Sequence, residues 1–505
     1  MGKREKTTKK HMSGKKDVAI LFEESPPAES GAMGTIRGIP DAVRSDFYLQ
    51  VLLVLTIIGI FLRFYNLGFN SLWLDEAFTY NASRGSIFEI WETTKTGDFH
   101  PPLFHWIEHI MLYFGNNETV LRFVPAVAGS LSIPLFFLFG KEVMNKQVGL
   151  ISAALLTFSP FHLYYSQEAY SYSLVVLIFT LILIFYIRAL RDDRRNDWII
   201  VGLLSALGFW VHYYIAIPIA VLFIHAFITK VSRKKIDLRT LKNPLLSIVL
   251  FLIFISPLIY IVIERFFTLT AKPPTYGVFG LALITETFTR FSALNGLIAI
   301  LFVSLFIIGL IPLYKTNKTY CSFFILMITL PLLFSVIISP RMTMNPRYLL
   351  YLMAIFYTGI ACSCCMLPKL SSKKWGVILI IMGIIALNIS MILGYHQSVV
   401  KDDWRTYSNA LAESTREGDF IILIPGYNEL PFKYYYNRAA DRTEVFGAVT
   451  PQDIEGIISK RGNNSVYYVV TNDITAANPE GDTYNWLNKN AQYLGQYTNI
   501  YTFIS

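Results

Sequence analysis

Val51-Leu52-Leu53-Val54-Leu55-Thr56-Ile57-Ile58-Gly59-Ile60-Phe61 is followed, a short way on, by Ser71-Leu72-Trp73-Leu74-Asp75-Glu76. The first run carries no charge and, taken as 47–64, is long enough to cross a bilayer. The second places two adjacent carboxylates, fenced by Trp73 and Leu74, just beyond that span. Acidic side chains beside a membrane are costly unless they are solvated or put to use. One reading makes the pair a solvated acidic loop; the other makes Asp75 a catalytic base facing outward.

The rest of the composition supports a membrane setting. Of 505 residues, 53% are hydrophobic and 15% aromatic. Runs at 174–186 and 377–393 again approach or reach span length. This excludes an ordinary soluble enzyme and predicts a polytopic α-helical membrane protein. The formal charge of +9 does not call for nucleic acid, because Lys and Arg gather in short segments between apolar runs. Spans at 47–64, 120–140, 148–163, 171–190, 198–212, 214–229, 244–263, 294–314, 320–338, 347–367 and 375–394 make about eleven crossings. Basic turns at 141–147, Arg188 to Arg195, Lys230 to Lys235, Lys315 with Lys318, and Lys369 to Lys374 all fall on one side. That side is cytoplasmic by the positive-inside rule, and the last span delivers the chain outside. No cleavable signal peptide is expected, since the apolar run starts only near residue 47.

Three regions follow: a basic cytoplasmic arm over 1–46, a transmembrane domain over 47–394 with a first outer loop at 65–119, and an extracytoplasmic α/β domain over 395–505. The last shows helical periodicity at 403–414 and 451–460, and strand-like runs at 420–424, 465–470 and 499–504. It holds no GxGxxG, P-loop or nucleophile elbow. The four cysteines, Cys321, Cys362, Cys364 and Cys365, lie in or beside apolar spans and lack the separated second pair of a zinc site. They read as small buried residues.

The first outer loop holds most of the chemistry. After Asp75 and Glu76 come Asp98, His100-Pro101-Pro102, His105, Glu108 and His109, with Arg122 heading the second span. The prolines fix the chain direction after His100, and 103–114 reads as an amphipathic helix suited to a membrane surface. His105-Trp106-Ile107-Glu108-His109 matches H-x-x-E-H, the inverted zinc-protease pattern with both histidines on one helix face. Such short patterns recur by chance, and no soluble protease domain surrounds this one.

An ordered set of motifs resembles a known family. Leu72-Trp73-Leu74-Asp75-Glu76, His100-Pro101-Pro102-Leu103, Arg122, and Ser166-Gln167-Glu168-Ala169 together resemble the GT-C glycosyltransferases. The nearest group is family 39 and its relatives: protein O-mannosyltransferases, aminoarabinose transferases of lipid A, and dolichyl-phosphate-mannose mannosyltransferase-like proteins. The resemblance is strong over 70–220 and mainly topological beyond. It implies a GT-C fold and transfer of a sugar from a polyprenyl (dolichyl or undecaprenyl) phosphate to an acceptor hydroxyl on the extracytoplasmic side. It implies Asp75 as general base, Glu76 as the neighbour that positions base or acceptor, His100 and Arg122 near the donor phosphate, and Gln167 and Glu168 lining the cavity. Many members of the resembled family read Gln-Glu-Ala-Arg where this chain has Tyr170, so the cation they usually supply is missing. Arg290, Lys272, Arg341 and Arg347 in outer loops are candidates to replace it, with interfacial anchoring as the competing reading for each. Tyr170 and His212, in outer turns, complete the substrate-binding candidates.

Transfer from such a donor needs a base for the hydroxyl and cations for the departing phosphate, but no nucleotide. A carboxylate with a pKa of about 4 is a weak base at neutral pH. Direct displacement at the anomeric carbon predicts inversion. Asp75, Glu76 or the loop histidines permit a divalent metal, and no other cofactor is indicated. Expected partners are the lipid-linked donor, a glycan, lipid or protein acceptor, and membrane lipids, without nucleic acid. The competing class is a transporter or flippase of lipid-linked sugars. Against it stand the lack of an evident repeat and the scarcity of charge at mid-membrane depth. Tyr427, Tyr434, Tyr435 and Tyr436 could stack on sugars, though tyrosine-rich stretches more often pack as core. Asn81, Asn117 and Asn463 are outer sequons.

Overall fold

The computed structural model describes residues 44–96, 100–231, 238–271, 273–274, 276–367, 373–439, 443–462 and 464–505. The basic N-terminal arm, Asp98, Arg233, Lys234, Lys235, Lys272, Lys369 and the sequon Asn463 lie outside them. Val51–Ser505 form one compact unit, and of the unit before it residues 44–50, which include the start of the first long helix, are described.

Among the described residues nine helices are long and apolar enough to span a bilayer. They are Phe47–Phe64, Phe123–Val143, Tyr172–Asp192, Tyr213–Val231, Thr240–Thr268, Gly296–Thr316, Lys318–Ile338, Pro346–Met366 and Lys374–Gln397. A tenth is the bent pair Lys146–Thr157 and Pro160–Ser166, broken by 64°. The break has a local cause. Pro160 has no N–H to continue the ladder and holds Ser159 in extended backbone, while the Ser159 hydroxyl accepts from the His162 N–H at 3.3 Å. Arg195–Val211, with 17 residues, falls just short of span length by itself. Each of the eleven apolar runs is thus helical.

Burial separates the centre of the bundle from its rim: 83% of Pro346–Met366 is enclosed by protein, against 22% of Thr240–Thr268. Close packing at the centre rests on small residues. A side chain on Gly140 would strike the backbone of Gly149, and one on Gly149 would strike the carbonyl of Phe137. Arg63 ties the first helix to the bend, donating to the carbonyls of Gly59 and Leu156 and lying 3.0 Å from His162 Nδ1.

Beyond Gln397 the chain builds a five-stranded sheet in the spatial order Glu444–Gly447, Phe420–Ile424, Val466–Thr471, Ile500–Ile504 and Gln492–Tyr497. Its strands are β1 (Phe420–Ile424), β2 (Glu444–Gly447), β3 (Val466–Thr471), β4 (Gln492–Tyr497) and β5 (Ile500–Ile504). β1 pairs in parallel with β2 and β3, whereas β5 runs antiparallel to β3 and β4. Strand alternation gives the sheet two apolar faces. Phe420, Ile422 and Ile424 pack with Ile454 and Leu487. Ile421 and Leu423 pack with Trp404, Phe432 and Tyr436, and this second core continues into Leu72, Leu121 and Ala169 of the membrane region. The sheet layer is therefore seated on the segment that carries Asp75 and Glu76. Tyr434, Tyr435 and Tyr436 belong to this core, while Tyr427 is exposed.

Candidate active site

Trp73 precedes the Leu74–Ser83 helix, and Asp75 and Glu76 occupy its first turn, where the helix dipole favours anions. The chain before it is held from the C-terminal side. The Leu72 N–H donates to Tyr435 Oη at 2.7 Å, the Ser71 hydroxyl donates to Asp403 Oδ1 at 2.9 Å, and the Val400 N–H donates to Asn70 Oδ1 at 3.0 Å. Tyr435 in turn donates to Glu118, which also pairs with Arg405 at 2.7 Å.

Glu76 is fully buried and saturated. Its Oε1 accepts from Arg122 Nε at 2.7 Å and from the Ala169 N–H at 2.8 Å. Its Oε2 accepts from Arg122 Nη2 at 2.8 Å, Lys401 Nζ at 2.9 Å and the Trp73 N–H at 3.4 Å. Burial alone would raise its pKa, but Arg122 and Lys401 outweigh it and hold the carboxyl down at about 2. Arg122 spends its remaining donors on the carbonyls of Leu67, Asn70 and Ser71. All the N–H groups of a guanidinium are thereby used. Where the sequence reading sets Arg122 near the donor phosphate, the structure buries it as a clamp on Glu76 and the loop before it. Gln167 departs from expectation in the same manner, since its Nε2 donates to the carbonyls of Leu62, Arg63 and Tyr65 and closes the end of the first helix.

Asp75 is only partly enclosed. Its Oδ2 lies 2.8 Å from Arg347 Nη1, and its side chain keeps 20% of its surface open. Arg347 comes from the tight turn Pro346–Leu352, whose start is capped by Asn345 Oδ1 accepting the Arg347 N–H at 3.1 Å. Its guanidinium lies over the rings of Trp73, Tyr172 and Tyr348 at 5.5, 5.7 and 5.5 Å. Its Nε has no hydrogen-bond partner among the described residues.

Tyr170, Tyr172, His100 and His212 form the adjoining wall. Tyr170 Oη lies 2.5 Å from His100 Nε2, and the rings of Tyr170 and Tyr172 stack at 4.8 Å. His212 is 6.1 Å from His100 and 5.5 Å from Tyr172 between ring centroids. Burial, with the charges of His100 and Arg347, pushes His212 down to about 3, so it is neutral. Its Nδ1 accepts the Tyr214 N–H at 3.3 Å, which leaves the proton on Nε2, unpartnered among the described residues.

Glu168 is buried near the same acids and bases, and neither carboxyl oxygen finds a hydrogen-bond partner among the described residues. Burial pushes it up to about 8, with Glu76 and Asp75 adding to the rise and Lys401 and Arg347 opposing it. Arg290 is not drawn in; it pairs with Glu286 at 2.7 Å and is exposed. Sequence reasoning missed Lys401. The one signal available was a charged Lys401-Asp402-Asp403 run directly after the last span, on the side where basic residues are not expected.

The zinc-protease pattern does not assemble. His109 Nδ1 lies 3.0 Å from the Ser83 carbonyl, and burial pushes Glu108 well above the usual carboxylate range. Among the described residues no three His, Cys, Asp or Glu side chains converge on a common point. A divalent ion does not fit Asp75 and Glu76 either, since each carboxylate already faces a cation of the chain.

Residues 99–261 match the family described as dolichyl-phosphate-mannose-protein mannosyltransferase. The whole frame is similar to ArnT from Cupriavidus metallidurans in the apo state, with a TM-score of 0.59 at 13% identity, over 90% of this chain and 97% of that one. The chain has the GT-C fold. ArnT bound to undecaprenyl phosphate gives a TM-score of 0.57 at 14% identity, over 94% and 98% of the two chains. The oligosaccharyltransferase AglB from Archaeoglobus fulgidus, in complex with an inhibitory peptide and a dolichol-phosphate, gives 0.55 at 13% identity, over 91% and 74%. No curated protein matches the chain. The GT-C frame makes this a multi-pass membrane protein.

Proposed function

We propose that this protein is an integral-membrane glycosyltransferase that moves a hexose, mannose being the first to test, from a polyprenyl phosphate to an acceptor hydroxyl. The reading puts the site and residues 395–505 on the extracytoplasmic side, residues 47–394 in the membrane, and the N-terminus in the cytoplasm. The observation that carries it is the Asp75–Arg347 pair: a partly open carboxylate held against a guanidinium that still has an unused donor. Asp75 takes the acceptor proton as the acceptor oxygen bonds to the anomeric carbon. The bond from that carbon to the phosphate oxygen breaks, and its electron pair leaves on the prenyl phosphate. Attack opposite the leaving group inverts the anomeric centre. Arg347 Nε and the His212 Nε2–H are donors suited to the charge that builds on the phosphate, with His100 beside them.

Two further features support the reading. An apolar groove of about 450 Å³, lined by Ile87, Phe88, Trp91, Trp106, Trp210 and Pro257, suits a prenyl chain. Both ArnT and AglB were solved with polyprenyl phosphates, AglB also with a peptide. The test is transfer from a radiolabelled polyprenyl-phosphate sugar by purified protein in detergent. A transferase forms product there without a gradient, whereas a flippase forms none. Asp75→Asn should abolish transfer; full activity in that variant refutes Asp75 as base.

A further inference from the structure

We propose that the sheet layer carries a docking site for a neutral acceptor glycan, in the crevice beyond the carboxyl ends of β1 and β3. The proposal rests on the reading of the protein as a glycosyltransferase and names the acceptor class.

The crevice follows from the order of the strands. β1 lies between β2 and β3 and is parallel to both. The chain leaves β1 through the helix Glu429–Ala439, whose Phe432 and Tyr436 pack on the face that shows Ile421 and Leu423. It leaves β3 through Ile474–Ala477 and Asp482–Asn490, whose Ile474 and Leu487 pack on the opposite face, with Phe420, Ile422 and Ile424. Neighbouring parallel strands whose connections part to opposite faces leave an opening beyond their carboxyl ends, and open α/β sheets bind ligands there. In this sheet the opening lies between Tyr427-Asn428, after β1, and Asn472-Asp473, after β3.

Its floor and rim are polar. Asn428 is 3% exposed and ties the two strand ends together, donating to the Thr471 hydroxyl at 2.8 Å. On the rim, Asn472 Nδ2 donates to Asn499 Oδ1 at 3.2 Å, and Asn499 Nδ2 donates to Asp402 Oδ1 at 3.1 Å. Tyr497 Oη donates to Asp403 Oδ2 at 3.0 Å. Asp402 and Asp403 thus meet amide and hydroxyl groups, not cations. Carboxylates left without a matching cation repel a phosphate and accept readily from hydroxyls. Tyr427 adds an apolar face, being 41% exposed where Tyr434, Tyr435 and Tyr436 are buried. An aromatic face beside carboxylate and amide groups matches a sugar ring, which shows C–H groups on its faces and hydroxyls at its edge. The rim also borders the catalytic loop: Asp403 accepts from the Ser71 hydroxyl at 2.9 Å, and Lys401, two residues earlier, donates to Glu76. A glycan seated there is held beside the segment that carries Asp75.

The test reads binding apart from turnover. Saturation-transfer NMR is run on the full-length Asp75→Asn protein in a detergent without a sugar head group. Its probes are three neutral disaccharides: an α-linked mannobiose, cellobiose and diacetylchitobiose. At least one should receive saturation from the protein. Tyr427→Ala and Asp473→Asn, both changes of exposed side chains, should each weaken its binding on the order of tenfold. Tyr493→Ala, at the other end of the sheet and 50% exposed, should leave binding unchanged. With Asp75 restored, the sugar that binds should serve as acceptor. Tyr427→Ala and Asp473→Asn should then raise its KM on the order of tenfold, with kcat and donor KM unchanged. Should Tyr427→Ala not fold, Asp473→Asn set against Tyr493→Ala decides alone. Saturation of none of the three probes, or equal binding in all the variants, overturns the proposal. If a probe binds through the crevice while wild type transfers no sugar, the transferase reading falls and the glycan site stands. If wild type transfers and no probe binds, only the site falls.

Discussion

Arg122→Lys separates two accounts of the same residue. If Arg122 met the donor phosphate, lysine would keep the charge, leave the fold intact and raise donor KM. The structure calls for a different result. The Arg122 guanidinium serves both Glu76 oxygens and the carbonyls of Leu67, Asn70 and Ser71. An ammonium has three donors, so at least two buried acceptors are stranded, at a cost of about 1–3 kcal/mol each. Arg122→Met breaks the pair outright and should cost about 3–5 kcal/mol. Thermal unfolding in detergent is the assay, with donor KM measured on the folded fraction. Both variants should melt below wild type, Met more than Lys, with donor KM unchanged. The acid side gives a second signature. Glu76 is held below its ordinary value of 4.5, at about 2, so its contribution is full above 4.5 and is lost as pH falls toward 2. Wild type should lose stability across that window, and Arg122→Met, already lacking much of the pair, should lose less. A wild-type melting temperature in Arg122→Lys together with a raised donor KM would refute the clamp.

Three other outcomes can be measured directly. Glu168 is raised from 4.5 to about 8, so the folded state keeps a proton that the unfolded chain releases, and stability falls as pH climbs through that interval. Glu168→Gln should therefore gain in melting temperature over wild type between pH 4.5 and 8, with the gain level above; a difference that does not vary with pH contradicts this. Arg347→Lys cannot lie flat against three rings while pairing with Asp75, and initial rates should show kcat/KM lowered on the order of tenfold; an unchanged value removes Arg347 from the site. Tyr435→Phe leaves the Leu72 N–H and Glu118 short of a partner each, and should lower stability by about 1–3 kcal/mol in a thermal melt; an unchanged midpoint means the sheet layer does not hold the loop.

The membrane frame was legible because span length and basic turns are properties of composition, which need no knowledge of contacts. All eleven apolar runs are helical, and the strand-like runs near 420, 466 and 500 are strands. Site membership was only partly legible. His100, Tyr170 and His212 do share a wall, and Asp75 with Arg347 forms its centre. The partners of Arg122 and Gln167 were not legible for one reason: most of them are backbone carbonyls, which leave no trace in residue identity. Lys401 was missed because it returns to Glu76 across 325 positions, carried by a sheet layer whose docking on Leu72, Leu121 and Ala169 no local pattern announces.

The motif reading makes both Arg122 and Arg347 candidates for the donor phosphate, and the structure sets them in different surroundings. Arg122 stands beside a buried carboxylate and three loop carbonyls, so burial there requires every donor to be used. Arg347 stands among aromatic faces that attract its charge, and its Nε has no hydrogen-bond partner among the described residues. Where the resembled motif has Arg after Gln-Glu-Ala, this chain has Tyr170, whose hydroxyl is engaged with His100. The cation for that wall arrives instead from the Pro346–Leu352 turn, so a double change restoring the motif, Tyr170→Arg with Arg347→Ala, should recover transfer lost in Arg347→Ala alone if the two positions serve one phosphate. Rates for the three variants in the detergent assay decide it: a double variant no faster than Arg347→Ala means that Arg347 acts only through Asp75.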